Sequence, residues 1–405
     1  MTTPAILLLD LPPTTLCGID LLSFTTSPRF RGIKDLPPGF HFVFTGATPS
    51  LSIRHGFWFH IPAHSHPAPL LVRKWDASRE ELVPETDDAA LLRWRANLGA
   101  LWKEGLAPYR QSAAPATGGQ GAGDGHGGEG ELGGEVRDWG GLTSHVTPAL
   151  LSRITGGSDD AHWTLTSASC AKQDRDEIPG LSGEESVLVE EKELGFLKVD
   201  LTRTWREGAV GRERTEGAMD RSWALEEVVR GSGNGRGGEW GGEVVGEMQV
   251  CFLMVLALAN YSCMEQWKRI LGLVFTCKRA VVEKEGWFAG VVALLRTQLK
   301  RCEDVEGGLF DFSDEGGTLL KRLLKAFKRT LDEVFENADD GMKVKEEVEE
   351  LEAFVKAEYG WNLSDSYVRR GMLELEDGER VEMEMNELEG EDERGEYAPV
   401  IVELD

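Results

Sequence analysis

The chain has 405 residues, 41% apolar and 8% aromatic, so it can bury a sizeable core and is long enough for two or three domains. Its 70 Asp and Glu against 44 Lys and Arg give a net charge of -26. That argues against a general nucleic-acid coat, which rests on Lys and Arg, and against docking on anionic membranes. The excess is local: residues 1–110 carry net +1 and residues 374–405 carry -12, so most of the acidity lies outside the well-patterned stretches, where it serves as solvating charge.

In chain order, Met1–Leu9 has no Lys or Arg and its apolar run stops at Asp10, which makes a poor signal peptide. Short β-prone runs follow: Ala5–Leu9, Phe40–Phe44 after a Pro37-Pro38-Gly39 turn, Leu51–Ile53 with Phe57–Ile61, and Leu70–Trp75. Gly56 is expected as a bulge, and Gly18, Gly32 and Gly39 as turn or bulge residues. Phe30, Phe42, Phe57 and Trp75 are assigned to the core. Strands at this spacing without helices between them predict an antiparallel sandwich or barrel. Leu91, Trp94, Leu98, Leu101 and Trp102 then recur at helical spacing, predicting a helix from about Asp88 to Glu104.

The pattern collapses at Gly118–Gly134, where 10 of 17 residues are glycine with no P-loop lysine, as in a flexible insertion. Gly231–Gly242 reads the same way. Trp139–Ile154 looks partly ordered and Asp159–Leu201 is ambiguous. From Glu247 the chain reads as helical. Glu247–Ala259 is apolar nearly all round, as in a central buried helix, and at ten residues its longest apolar run, Val250–Ala259, is about half a bilayer span. Ser262–Glu265 has the form of a capping box. Trp267, Ile270, Leu271, Val274 and Phe275 form one face behind it. Three more helices are carried by Trp287–Cys302, Leu320–Phe335 and Val344–Val355. The resulting fold class is α+β: a β-rich sandwich-like or barrel-like domain over 1–165 with an insertion at 113–135, a linker or poorly ordered region at 166–217, and a helical domain over 218–360 with an insertion at 231–242. An acidic tail with a terminal β-prone segment fills 361–405.

Chemistry-bearing clusters are few. His60, His64 and His66 could hold zinc, set against a Pro-containing loop that happens to be rich in histidine. A hydrolase built on the β domain would use His41 or that cluster. No GxSxG elbow, HExxH or P-loop is present, so catalysis and cofactors are not expected. The six cysteines (Cys17, Cys170, Cys251, Cys263, Cys277, Cys302) include no CxxC pair and mostly sit in apolar segments, as in an intracellular protein with reduced thiols. The Met and Trp residues from Met248 to Trp287 sit at helical spacing and read as core. Beside them Glu265, Gln266 and Lys268 give a polar face that is either ordinary surface or a partner-docking face. Val381–Met385 alternates apolar and acidic residues, as a one-faced strand does. The terminal run containing Val400, Ile401, Val402 and Leu404 is either a frayed end or a strand that adds to another protein's sheet. Ser182, Ser186 and Ser232 are available for phosphorylation, with no signal singling one out.

Gly18-Ile19-Asp20 followed by Ser27–Val43 resembles the Aar-two family, and so, in the same order, do Arg54–Phe59, Val72–Asp76, Gly246–Leu253 and Met264–Leu271. The resemblance implies a non-enzymatic pre-mRNA splicing factor that assembles the U5 small nuclear ribonucleoprotein in nucleus and cytoplasm. It would bind a Prp-eight-type scaffold protein at its RNase H-like and Jab/MPN domains and keep out an RNA helicase, without contacting nucleic acid sequence-specifically or membrane. It also implies a β-rich N-terminal and a helical C-terminal domain, and no catalytic residue. The Gly-rich insertions, the acidic tail and the His60–His66 loop depart from the family pattern. A general acidic chaperone is the alternative from another class.

Overall fold

The computed structural model describes residues 3–47, 53–110, 138–176, 193–232, 239–302, 318–335, 341–364, 368–374 and 380–386. The chain divides into two compact units, Met1–Leu197 with Gly242–Trp267, and Lys198–Gly241 with Lys268–Asp405. The fold is α+β, with the N-terminal sheets followed by helices.

Among the described residues of the first unit, ten strands form two sheets: β1 (Ala5–Leu9), β2 (Leu16–Ile19), β3 (Leu22–Thr25), β4 (Gly32–Lys34), β5 (Gly39–Gly46), β6 (Arg54–Ile61), β7 (Leu70–Asp76), β8 (Glu81–Pro84), β9 (Leu106–Pro108) and β10 (Thr164–Thr166). One sheet has the order β8-β7-β1-β4-β9 and the other β10-β6-β5-β2-β3. The second is antiparallel throughout, as expected. The first is mixed, because β1 runs parallel to β7 and β4 parallel to β9. Both parallel pairs join strands far apart in sequence, with other strands or a helix as the crossover. Ile6, Leu8, Ile19, Ile33, Val43, Phe57, Phe59 and Trp75 from both sheets close one core between them. The other face of β1 (Ala5, Leu7, Leu9) meets helix α1 (Asp88–Glu104) through Leu91, Trp94, Leu98, Leu101 and Trp102. β1 is therefore covered on both faces, which explains a strand of five buried apolar residues without alternation.

The outer face of the antiparallel sheet carries an aromatic ladder, and two glycines make room for it. Gly56 pairs in register with Phe44 and is no bulge. A Cβ there would stand 2.2 Å from the Phe42 ring, and one on Gly18 would stand 2.0 Å from the Phe44 ring. Gly32 and Gly39 are the backbone devices, with φ of 147° and 131°. Trp139 stacks over Trp58 at 6.1 Å and donates its indole N–H to the Phe40 carbonyl at 2.8 Å. The chain then enters α2 (Pro148–Thr155), capped by the Thr147 hydroxyl, and a short α3 (Lys172–Asp176).

The region 166–217, expected to be linker or poorly ordered, has built parts. Leu194, Leu197, Val199 and Thr204 are buried, and α4 (Arg212–Met219) lies within it. Helix α5 (Ser222–Gly231) follows, then α6 (Gly242–Leu258), buried almost all round, and α7 (Tyr261–Val274). Asn260, and not Ser262, caps α7: its side-chain carbonyl accepts the Cys263 N–H at 2.8 Å, while its amide group binds the carbonyls of Thr166 and Ser169. Ser262 instead accepts the Ala171 N–H.

The second unit continues with α8 (Arg279–Glu283), α9 (Glu285–Leu299), α10 (Thr318–Val334) and α11 (Met342–Tyr359). Phe275 and Phe288 pack on Phe327 in its core. Arg296 pairs with Glu347 and Glu350, and Lys328 with Glu352, so the acidic face of α11 meets basic neighbours. Strands β11 (Val368–Glu374) and β12 (Arg380–Asn386) form a hairpin. No described helix is long and apolar enough to cross a membrane.

Candidate partner-docking surface

The family-like segment at the start of α6 turns inward. A Cβ on Gly246 would lie 2.5 Å from the His145 carbonyl oxygen, so only glycine allows that approach. Glu247 is fully buried, and three donors converge on its carboxylate: Arg153 Nη1 at 2.7 Å, Gln266 Nε2 at 2.7 Å, and the Leu197 N–H at 3.0 Å. Burial pushes the Glu247 carboxyl upward, against the opposing pull of Arg153. Burial also works against the Arg153 cation, but its two glutamates, Glu247 and Glu243, outweigh this and raise its pKa. Two residues on, Gln249 accepts the His145 N–H and donates to the Gly141 carbonyl and the Ser144 hydroxyl. Together with Asn260, these side chains satisfy backbone groups between Gly141 and Leu197, most of them in irregular segments.

One residue of the expected docking face turns inward. Gln266 is 2% exposed, and its amide group bonds the Leu197 carbonyl as well as Glu247, so its side chain belongs to the interior. Glu265 and Lys268 are half-buried on α7, and Tyr261, one turn before Glu265, is 57% exposed. Val400, Ile401, Val402 and Leu404 lie outside the described residues, as do Gly118–Gly134, Ser182 and Ser186. The expected strand at Val381–Met385 is present as part of β12. It pairs antiparallel with β11, with Leu373 in register with Val381 and Glu374 with Arg380.

His41 sits deep in the first unit. Its Nδ1 lies 2.7 Å from Asp20 and its Nε2 lies 2.8 Å from the Pro37 carbonyl, so both ring nitrogens face acceptors. Burial disfavours the charged ring, yet the Asp20 carboxylate more than compensates and His41 is held above its ordinary pKa. Asp20 also accepts the Phe42 N–H and the Tyr109 hydroxyl. The pair ties strand ends together. His60, His64 and His66 are exposed, and among the described residues no three His, Cys, Asp or Glu side chains gather as a metal set. All six cysteines are free thiols; burial pushes Cys17 and Cys302 up to about 12, which keeps them protonated and unreactive. Arg73, 3% exposed, lies 4.1 Å from the centre of the Phe57 ring and donates to the Asp160 and Ala161 carbonyls; burial lowers its pKa to about 10.

A concave site in the second unit was not legible in the sequence. Glu239, Trp240, Val282, Glu283, Lys284, Glu285, Gly286 and Trp287 line a cavity of about 510 Å³. Trp287, assigned to the core by its spacing, is only half-buried, and Trp240, placed in a flexible insertion, packs against it edge to face at 5.0 Å. Their separation by 46 intervening residues gives no local pattern to find.

Two family models match the chain: the AAR2 N-terminal domain over residues 2–156 and the AAR2 C-terminal repeat region over residues 196–364. Among curated proteins, the human Protein AAR2 homolog is 27% identical over 321 residues, covering 73% of this chain and 74% of its own length. The mouse Protein AAR2 homolog is 25% identical over 323 residues, with the same coverage. The Caenorhabditis elegans Protein AAR2 homolog is 24% identical over 325 residues, covering 73% of this chain and 78% of its own length.

Proposed function

The chain belongs to the AAR2 family, a family of splicing-associated factors, and from that premise we propose that it is a non-catalytic assembly factor of the U5 small nuclear ribonucleoprotein. It binds a Prp-eight-type scaffold protein through the RNase H-like and Jab/MPN domains, holds it in a precursor particle and keeps the RNA helicase out. It works in the cytoplasm and the nucleus, between which assembly takes it. The observation that carries this reading is the ordered match of both family regions across residues 2–364. His41, Arg73, Glu247, Gln249 and Gln266 are each committed to internal bonds and serve the fold. The acidic excess suits a partner whose surface handles RNA, because opposite charge steers encounter.

Within this reading the terminal run Val400–Leu404 docks as an added strand on the scaffold, tethered by the acidic segment before it. Affinity purification from the native cell with mass spectrometry tests the proposal. The scaffold and U5 proteins should be recovered with the helicase depleted. Recovery of mature particles containing the helicase, or of no spliceosomal protein, would overturn it.

A further inference from the structure

We propose that the open hollow lined by Trp240 and Trp287 receives an arginine side chain of a basic partner polypeptide. Its volume, about 510 Å³, falls in the range of ligand pockets. The two indoles stand at 81° to each other, so an entering group meets one ring face and one ring edge. The aromatic corner is held in place by backbone: Gly241 has φ of 72°, and a Cβ there would lie 2.5 Å from the Trp287 indole nitrogen. Any other residue would push Trp240 away from its partner.

The electrostatics select the ligand's sign. Glu239, Glu283 and Glu285 surround the cavity, against one cation, Lys284. Glu285 is fixed by the Lys343 N–H at 2.9 Å, and Glu283 faces Arg279 at 3.4 Å. The lining carries net negative charge, which favours a cation over an anion. The Lys284 ammonium already stands 5.4 Å from the centre of the Trp240 ring, an internal stand-in for the cation the ring attracts. A guanidinium is planar, weakly hydrated and stacks on indole better than an ammonium does. The exposed apolar side chain of Val282, 47% accessible, offers a ledge for its aliphatic stem. This inference does not rest on the splicing reading, since it concerns one side chain and one pocket.

The test is a titration of the full chain carrying 15N-labelled indoles, with the Trp240 and Trp287 resonances assigned through Trp240→Phe and Trp287→Phe. The probe is the capped peptide Ac-Gly-Arg-Gly-NH2, and the norleucine peptide of the same length is the control. The arginine peptide should shift both indole resonances saturably at millimolar concentration, and Trp240→Ala should abolish the response. Lys284→Met removes the resident cation from an exposed site and should tighten binding about two- to fivefold, the reach of a surface cation–π contact. Equal shifts from the norleucine peptide, an arginine response that survives Trp240→Ala, or unchanged or weaker binding in Lys284→Met would each overturn the proposal.

Discussion

Glu247→Ala removes the acceptor on which Arg153, Gln266 and the Leu197 amide converge at 2.7, 2.7 and 3.0 Å. Deleting one partner of a buried ion pair costs about 3–5 kcal/mol, and an orphaned buried amide alone costs about 1–3 kcal/mol. Two features place the expected loss toward the lower end. Gln266 keeps the Leu197 carbonyl, and Arg153 keeps Glu243 and the Gly195 carbonyl. The expected destabilisation is therefore about 3–4 kcal/mol, which at a urea slope of about 2 kcal/mol/M lowers the midpoint of the transition by about 1.5–2 M. Urea unfolding followed by fluorescence and circular dichroism reads this directly. Replacing both partners, Arg153→Met with Glu247→Leu, should cost less than the sum of the single changes by more than about 1 kcal/mol, because no buried charge is left unpaired. A single-mutant loss below about 1 kcal/mol would refute the reasoning, since that is the scale of a solvated surface pair.

Further expectations follow from other buried groups. Because the folded-state pKa of His41 is raised above 6.5, its contribution to stability is complete below pH 6.5 and is lost as pH rises through the folded value. Stability measured from pH 6 upward should fall more steeply in the native chain than in His41→Gln, and parallel curves would contradict the charged pair with Asp20. Gly56→Ala should destabilise by about 1–3 kcal/mol despite better strand propensity, because the Phe42 ring occupies the space of the new methyl; a neutral or stabilising effect on the melting temperature would show that the ring can yield. Deleting Gly118–Gly134 should change the melting temperature by no more than about 2 °C, since loop closure depends only weakly on length.

The helices were legible where the pattern is local. The α1 bounds, Asp88–Glu104, coincide with the spacing of Leu91, Trp94, Leu98, Leu101 and Trp102, and the all-apolar stretch after Glu247 is the buried α6. Strand positions were legible for the same reason, but pairing was not. The parallel partnership of β1 with β7 joins residues more than sixty positions apart, and hydropathy carries no record of it. Ser262 and Asn260 offer equally good capping chemistry on paper; which one caps α7 depends on where Thr166 and Ser169 place their carbonyls. Gln266 shows the same limit at the candidate site. A glutamine between Glu265 and Trp267 reads as surface, and only the distant Glu247 and Leu197 turn it inward.

Recognition of the scaffold by folded domains, reinforced by a terminal strand, is the proposed mode of binding. Isothermal titration calorimetry of the purified chain against the scaffold's RNase H-like and Jab/MPN domains tests it most directly, with full-length protein compared to a truncation after Glu396 and to Ile401→Pro. The expected result is a complex with the full-length chain, weaker binding by both variants, and unchanged thermal stability of the free proteins. No heat of binding with either scaffold domain would contradict the claim of recognition, and equal affinity of all three proteins would contradict the docking strand.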